Sequence, residues 1–267
     1  MLSFFIKKNF CDIWDNLFHL ILSNIPLIAL TVSSYFALSV SVVVNPRLPD
    51  AVFVLCSGIT AVFLFSWGVN ARKIADFNSP KWSLFFASLK RNLLSGFLFG
   101  VIVSSVTLFA RFGFTFYLNF FFEKDSFLHL ILAAFIAWFY IWFICSMQWF
   151  IPLYFLQEDN TFVKNFKKSF IIFFDNMAFS FFMLVHSLFQ LVLSFITFGL
   201  VPGLNGITLS LTNALRLRLY KYDWLEEHPD YMGDREKLSQ VPWEELIAED
   251  KECLGTRNLK SFLMPWK

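Results

Sequence analysis

The feature that most constrains this chain is the distance between consecutive charged side chains. Between Asp15 and Arg47 lie 31 positions without Asp, Glu, Lys or Arg, between Asp50 and Arg72 lie 21, and between Arg91 and Arg111 lie 19. Asp125 to Glu158 leaves 32, and Asp175 to Arg216 leaves 40. A helix rises about 1.5 Å per residue, so roughly 20 apolar residues cross about 30 Å of hydrocarbon. The first four gaps each supply one crossing. The fifth is long enough for two limbs, with Gly199, Pro202, Gly203, Asn205 and Gly206 offering a turn inside it. Six passes are expected, at about 20–43, 51–70, 92–112, 128–151, 176–198 and 203–219.

The runs Ala51–Phe65 and Leu130–Ile144 lack the polar alternation of transmembrane strands. Backbone groups in lipid must be satisfied within the segment, so such runs are helices. Composition agrees: 57% of the 267 residues are hydrophobic and 16% charged, against about 45–50% and 25% in soluble domains. Disorder, collagen-like repeats and a small disulfide scaffold are excluded. The expectation is an all-α, polytopic transmembrane bundle over residues 1–220 and a short cytoplasmic tail over 221–267. The first apolar run is too long for a signal-peptide h-region and follows Asp12 and Asp15, so it is expected to be retained.

Cytoplasmic flanks hold the excess of Lys and Arg. Alternate segments place Lys7, Lys8, Arg72, Lys73, Lys81, Lys90, Arg91, Lys164, Lys167, Lys168, Arg216, Arg218 and Lys221 on one side. Only Arg47 and Lys124, with Arg111 near the boundary, fall on the other. Both termini are expected in the cytoplasm of a cell membrane. Arg111 has two readings, a functional intramembrane charge or a snorkelling anchor at the outer interface.

Lipid tails are as apolar as Leu, so helices associate where small residues let backbones approach. Gly96, Gly100 and Ser104 form one such stripe, and Ala29, Ser33, Ala37 and Ser41 form another. Pro26 frees the carbonyl of Leu22, which predicts a kink at Leu22–Pro26. The final limb is expected to be short and irregular, ending at Arg216, with Pro202–Gly206 below the outer interface under neighbouring spans and Asn205 satisfying backbone groups.

From Tyr222 onward the balance turns acidic, net −5 against +7 for residues 1–221. Pro242 opens a helix followed by Trp243, Glu244 and Glu245. The end mixes Leu259, Phe262, Leu263, Met264 and Trp266 with Arg257, Lys260 and Lys267. It suits docking on the membrane surface or packing against the cytoplasmic loops, and both readings stand open.

Chemical motifs are scarce. The chain has no phosphate-binding Gly loop, no H-E-x-x-H and no G-x-S-x-G. Cys11, Cys56, Cys145 and Cys253 form no zinc or disulfide pattern. No enzyme, cofactor, metal or nucleic-acid partner is expected; the bilayer is. The remaining candidate is a polar stripe of His186, Gln190, Ser194 and Thr197 on one face of the fifth span, with Asn205, Thr208 and Thr212 on the sixth limb. Two readings are open: a solute or proton path, or hydrogen bonding between helices. No acidic residue accompanies the stripe in sequence.

Three segments carry a resemblance. They are Trp14–Phe18 leading into a Pro-containing span, Phe85–Asn92 leading into a Gly-bearing span, and Pro202–Leu204 followed by Asn213–Arg216. Together they resemble the YesL-like family of bacterial integral membrane proteins over about residues 10–220. The segments Lys221–Glu226 and Met264–Lys267 look like a variant with an extra C-terminal tail. Thr31 follows Pro26, but the Gly usual in that family's first span is missing. The resemblance implies an accessory role beside a carbohydrate transport system, possessing no reaction of its own, with a transport-system membrane subunit as partner.

Overall fold

The computed structural model describes residues 1–157, 161–231, 241–255 and 257. The chain is all-α, and no strand occurs among the described residues. Five helices are long and apolar enough to cross a membrane, so the protein is a multi-pass membrane protein. They are α2 (Leu17–Val44), α3 (Leu48–Ala75), α5 (Leu93–Lys124), α6 (Phe127–Met147) continued by α7 (Phe150–Leu156), and α9 (Met177–Ile196). Pro152 explains the break between α6 and α7, because its missing N–H and its ring disrupt the turn at Gln148.

Short helices precede three of these spans: α1 (Leu2–Asp15), α4 (Trp82–Arg91) and α8 (Phe162–Asp175). Each joins its span at one asparagine, Asn16, Asn92 or Asn176. All three asparagines leave helical geometry at φ −110°, −108° and −130°, with the amide nitrogen on the carbonyl four residues back. Their side chains turn back too, Asn16 Nδ2 to the Asp12 carbonyl, Asn92 Nδ2 to Ser88 Oγ and Asn176 Nδ2 to the Ile172 carbonyl. Side-chain competition of this kind stops one helix and starts the next at an angle.

The fold is therefore one unit used three times: a short helix, an asparagine junction, an outgoing limb and a returning limb. The returning limbs are α3, α6–α7 and α10 (Gly203–Glu227). Each short helix lies on the returning limb of the unit before it, α4 on α3 and α8 on α7. Helix α1 lies on α10 and closes the ring. At the centre α3, α7 and α10 touch one another.

One expectation about the ends of spans is corrected, at α10. Helix α2 is continuous across Pro26, and the junction at Asn16 precedes it. Helix α10 is neither short nor irregular, and its 25 residues pass Arg216 and Tyr220 without interruption. It is not among the five apolar helices. Other helices cover it on most faces, so its polar side chains meet protein rather than lipid. Arg216 also ends no helix, because Asp76, Asp250 and the Ala75 carbonyl receive it. Position 220, the expected edge of the membrane domain, lies seven residues before the end of α10.

After a 3-10 turn at Pro229–Tyr231 come α11 (Trp243–Leu246), with Pro242 at its N-cap, and α12 (Ala248–Leu254). Ile247, Asp250 and Leu254 are buried against the bundle. Of the two readings of the tail, the described part packs on the protein; Leu259, Lys260, Phe262, Leu263, Met264, Trp266 and Lys267 lie outside the described residues.

Candidate functional site

The polar stripe lies at the seam between α9, α10 and α1. Gln190 is 4% exposed and its Nε2 donates to Ser210 Oγ at 2.6 Å; the Ser210 hydroxyl donates to Asn9 Oδ1 at 2.9 Å. Asn9 Nδ2 stands 3.5 Å from His186 Nε2. One face of α1 carries this chemistry inward: Lys8 Nζ donates to Asp12 Oδ2 at 2.9 Å, and Asn213 Nδ2 donates to the same oxygen at 2.8 Å. Lys8 is only 1% exposed, with its ammonium 3.7 Å from the centre of the Phe77 ring. Burial pushes the Asp12 carboxyl up and the Lys8 ammonium down, while their attraction opposes both shifts.

Sequence reading treated Lys8 and Asp12 as flanking charges and missed Asn9, Ser210 and Asn213. Leu2, Ile6, Phe10 and Trp14 recur every fourth residue, so the sequence shows an amphipathic helix. Packing decides which face is inside: these four are exposed, while Lys8, Asn9 and Asp12 are buried.

The remainder of the stripe does not form one path. Ser194 donates to the Gln190 carbonyl and accepts from the Gly203 amide at 2.9 Å. Thr197 Oγ1 donates to the Val201 carbonyl and accepts the Val201 amide. Thr208 and Thr212 donate to the carbonyls of Leu204 and Thr208 on their own helix. Asn205 reaches Ser23 Oγ at 3.0 Å.

The turn Pro202–Gly206 is covered, with Pro202, Gly203, Asn205 and Gly206 all buried. The residue that satisfies its backbone is not Asn205 but Asn24, 1% exposed on α2. Asn24 Nδ2 donates to the Leu200 and Pro202 carbonyls, both at 2.9 Å, and Oδ1 accepts the Asn205 amide at 3.2 Å. Nothing in its sequence context separates Asn24 from the other asparagines, because its partners lie some 180 residues away. Beside it a 330 Å³ cavity is lined by Asn24, Thr31, Leu191, Ser194 and Gly203, not by His186 or Gln190.

The two small-residue stripes differ. Gly96, Gly100 and Ser104 are buried where α5 meets α3; a Cβ on Gly100 would stand 2.4 Å from the Ser57 carbonyl oxygen. On α2, Ala29, Ser33 and Ala37 are exposed and only Ser41 is buried. That stripe does not pack within the bundle, because α2 turns its Leu20, Ser23, Asn24 and Leu27 face inward instead. Arg111, exposed in the middle of α5 with 13 residues of the helix still to follow, lies 3.2 Å from Asp50 at the start of α3 and over the Phe112 ring.

Among the described residues no three His, Cys, Asp or Glu side chains gather as a metal site. Comparison with protein-family models, curated proteins and solved structures finds no match.

Proposed function

We propose that this chain is a non-catalytic membrane protein, oriented with both termini in the cytoplasm, that assists or scaffolds a transport system. The resemblance to YesL-like proteins suggests carbohydrate uptake as that system's task. The observation that carries the reading is the state of the polar seam. Gln190, Ser210 and Asn9 are engaged with one another, and so are Lys8, Asp12 and Asn213, across three helices in all. Buried polar groups that find partners in this way fix helix packing. Two clefts, of 790 and 570 Å³, open instead among basic residues, Arg72 and Arg91 in one and Lys168 and Lys221 in the other. Isolation from native membranes in mild detergent should bring a transport-system subunit along. Repeated isolation of the chain alone, also after chemical crosslinking in the membrane, would overturn the reading.

A second reading is a small-solute or proton transporter. It is favoured by the buried Lys8–Asp12 pair, since ionisable residues inside a membrane bundle often mark ion pathways. Solute or proton flux in proteoliposomes that Asp12→Asn abolishes would replace the scaffold reading with this one.

A further inference from the structure

The turn between α9 and α10 stops far short of the outer ends of α2 and α3. Arg216 Nη1 donates to the Ala75 carbonyl at 2.7 Å, which sets this point of α10 level with the end of α3. From Arg216 back to Gly203 the helix runs 13 residues, a rise of about 20 Å. Helix α3, which ends at Ala75, has 28 residues and rises about 40 Å. Thirteen residues up α3 from Ala75 stands Val62, in the middle of the charge-free run 51–71. Helix α2 gives the same answer. Its Asn24 holds the Leu200 and Pro202 carbonyls, and a Cβ on Gly199 would stand 3.0 Å from Ile28 Cγ1. Beyond Ile28, α2 has 16 residues, about 24 Å, still to rise to Val44. The 20 residues of α9 fit the same depth, because this helix starts on the far side of Arg216 from the turn. There Asp175 accepts from the Tyr222 hydroxyl, and the Arg218 guanidinium lies 3.9 Å from the centre of the Phe179 ring.

The turn is built for hydrocarbon. The other two hairpins carry charge where they turn, Arg47 between α2 and α3 and Lys124 and Asp125 between α5 and α6, whereas residues 197–202 carry none. Phe195, Ile196 and Phe198 are 78%, 72% and 86% exposed, three large apolar side chains turned away from the protein. Non-helical backbone at membrane depth is tolerated only where protein or a water-filled cavity satisfies it. Here side chains do so. Asn24 takes the Leu200 and Pro202 carbonyls and the Asn205 amide, Thr197 takes the Val201 carbonyl and amide, and Ser194 takes the Gly203 amide.

The 330 Å³ cavity lies beside this turn, between Ile28, Thr31 and Val32 of α2 and Leu191 and Phe195 of α9. Its polar side chains have no hydrogen to spare. Asn24 uses both amide hydrogens, Thr31 Oγ1 donates to the Leu27 carbonyl at 2.8 Å, and Ser194 Oγ donates to the Gln190 carbonyl at 2.8 Å. A cavity without free polar groups stays dry and takes apolar molecules. In the middle of a bilayer the apolar molecule at hand is the end of an acyl chain.

We propose that α9 and α10 form a re-entrant hairpin that turns near the bilayer midplane, and that the end of a phospholipid acyl chain occupies the cavity beside its turn. The protein then crosses the membrane four times, along α2, α3, α5 and α6–α7, and the third unit leaves by the face it entered. Lipid fills the space over the turn and covers the outer half of α2, where Ala29, Ser33 and Ala37 are exposed. The inference goes beyond both readings of function and holds under either.

The test uses the full-length protein in phosphatidylcholine nanodiscs that contain a trace of one of two photoactivatable phosphatidylcholines. One carries a diazirine at the end of an acyl chain, the other next to the ester. Adducts are mapped by mass spectrometry after proteolysis. The chain-end probe should label Ile28, Leu191 and Phe198 several-fold more than the ester probe does. At Val44 and Leu48 the order should reverse, which calibrates depth within the same molecule. Val32→Trp, at the cavity rim, should lower labelling of Ile28 and Leu191 several-fold and leave Phe198 unchanged. The comparison of the two probes needs no variant, so misfolding cannot produce it. Labelling of Phe198 by the ester probe as strong as by the chain-end probe would overturn the hairpin. Labelling of Phe198 with none at Ile28 or Leu191, or labelling there that Val32→Trp leaves intact, would overturn the occupied cavity. None of these outcomes depends on whether a transport subunit copurifies.

Discussion

Gly100→Ala tests the tightest seam in the bundle with a single methyl group. The added Cβ would stand 2.4 Å from the Ser57 carbonyl oxygen, 2.7 Å from the Gly58 Cα and 2.7 Å from the Ala61 Cβ. Two of these atoms are backbone, so no rotamer change relieves the clash. Helices α3 and α5 must separate by about 1 Å, and contacts along the seam weaken together, since a gap of that size forfeits up to about half of each van der Waals well. Overpacking of this kind costs roughly 1–3 kcal/mol, and a backbone obstacle puts it at the upper end. Alanine's better helix propensity returns up to about 1 kcal/mol. The net expectation is destabilisation by about 2 kcal/mol. The assay is unfolding of the purified protein in mixed micelles, followed by tryptophan fluorescence. Gly58→Ala provides the contrast: its nearest obstacle is the Phe97 ring at 2.6 Å, which can turn aside at smaller cost. Ser33→Ala on the exposed face of α2 should stay within about 0.5 kcal/mol. A Gly100→Ala protein as stable as the parent would refute the close approach of α3 and α5.

Asn24→Leu leaves the Leu200 and Pro202 carbonyls and the Asn205 amide without their partner, and should destabilise by about 3 kcal/mol in the same assay. Asp12→Ala strands a buried ammonium, so a loss of about 3–5 kcal/mol is expected, with a smaller loss in Lys8→Met/Asp12→Leu, where both charges are gone. Asp250→Ala unpins α12 from Arg216, and limited proteolysis should then cleave between α11 and Gly255 much faster than in the parent. Reporters at Asn45 or Lys124 should read outside and those at Ser79, Lys164 or Asp234 inside; an outside signal at Asp234 would overturn the orientation proposed from the basic residues.

The all-α class and the five apolar spans were legible because burial in lipid is a one-dimensional constraint. A charge-free run of about 20 residues has few other uses. The seam between α5 and α3 was equally local, since Gly96, Gly100 and Ser104 lie one turn apart. The inward face of α1 was not read because amphipathicity alone does not say which side is wet. For a helix with Leu2, Ile6, Phe10 and Trp14 on one side, lipid and protein core are both apolar neighbours, and only packing decides between them. The length of α10 was misjudged for a related reason. Arg216 and Arg218 end a lipid-facing helix, but here Asp250 and the Phe179 ring take them up, and neither partner is near them in the chain.

The threefold unit was hidden by the same side chains that make the three positions chemically different. What repeats is geometry: a short helix, an asparagine that turns its amide back four residues, and two limbs. None of the four positions eight, five, four and one residues before the junction asparagine keeps one identity in all three units: Lys8, Leu84 and Lys168 stand at one and Asp12, Ser88 and Ile172 at another. Only the asparagine is common, and a lone asparagine carries no signal until three are seen doing the same thing. The divergence has a structural counterpart. The α1 position is the most highly charged, and it is the one the chain covers with its own acidic tail. Leu84 and Ser88 of the α4 position cannot form a buried ion pair. A fold built of equal units thus presents unequal surfaces at one end of the bundle, and the α1 position is set apart by the tail that covers it.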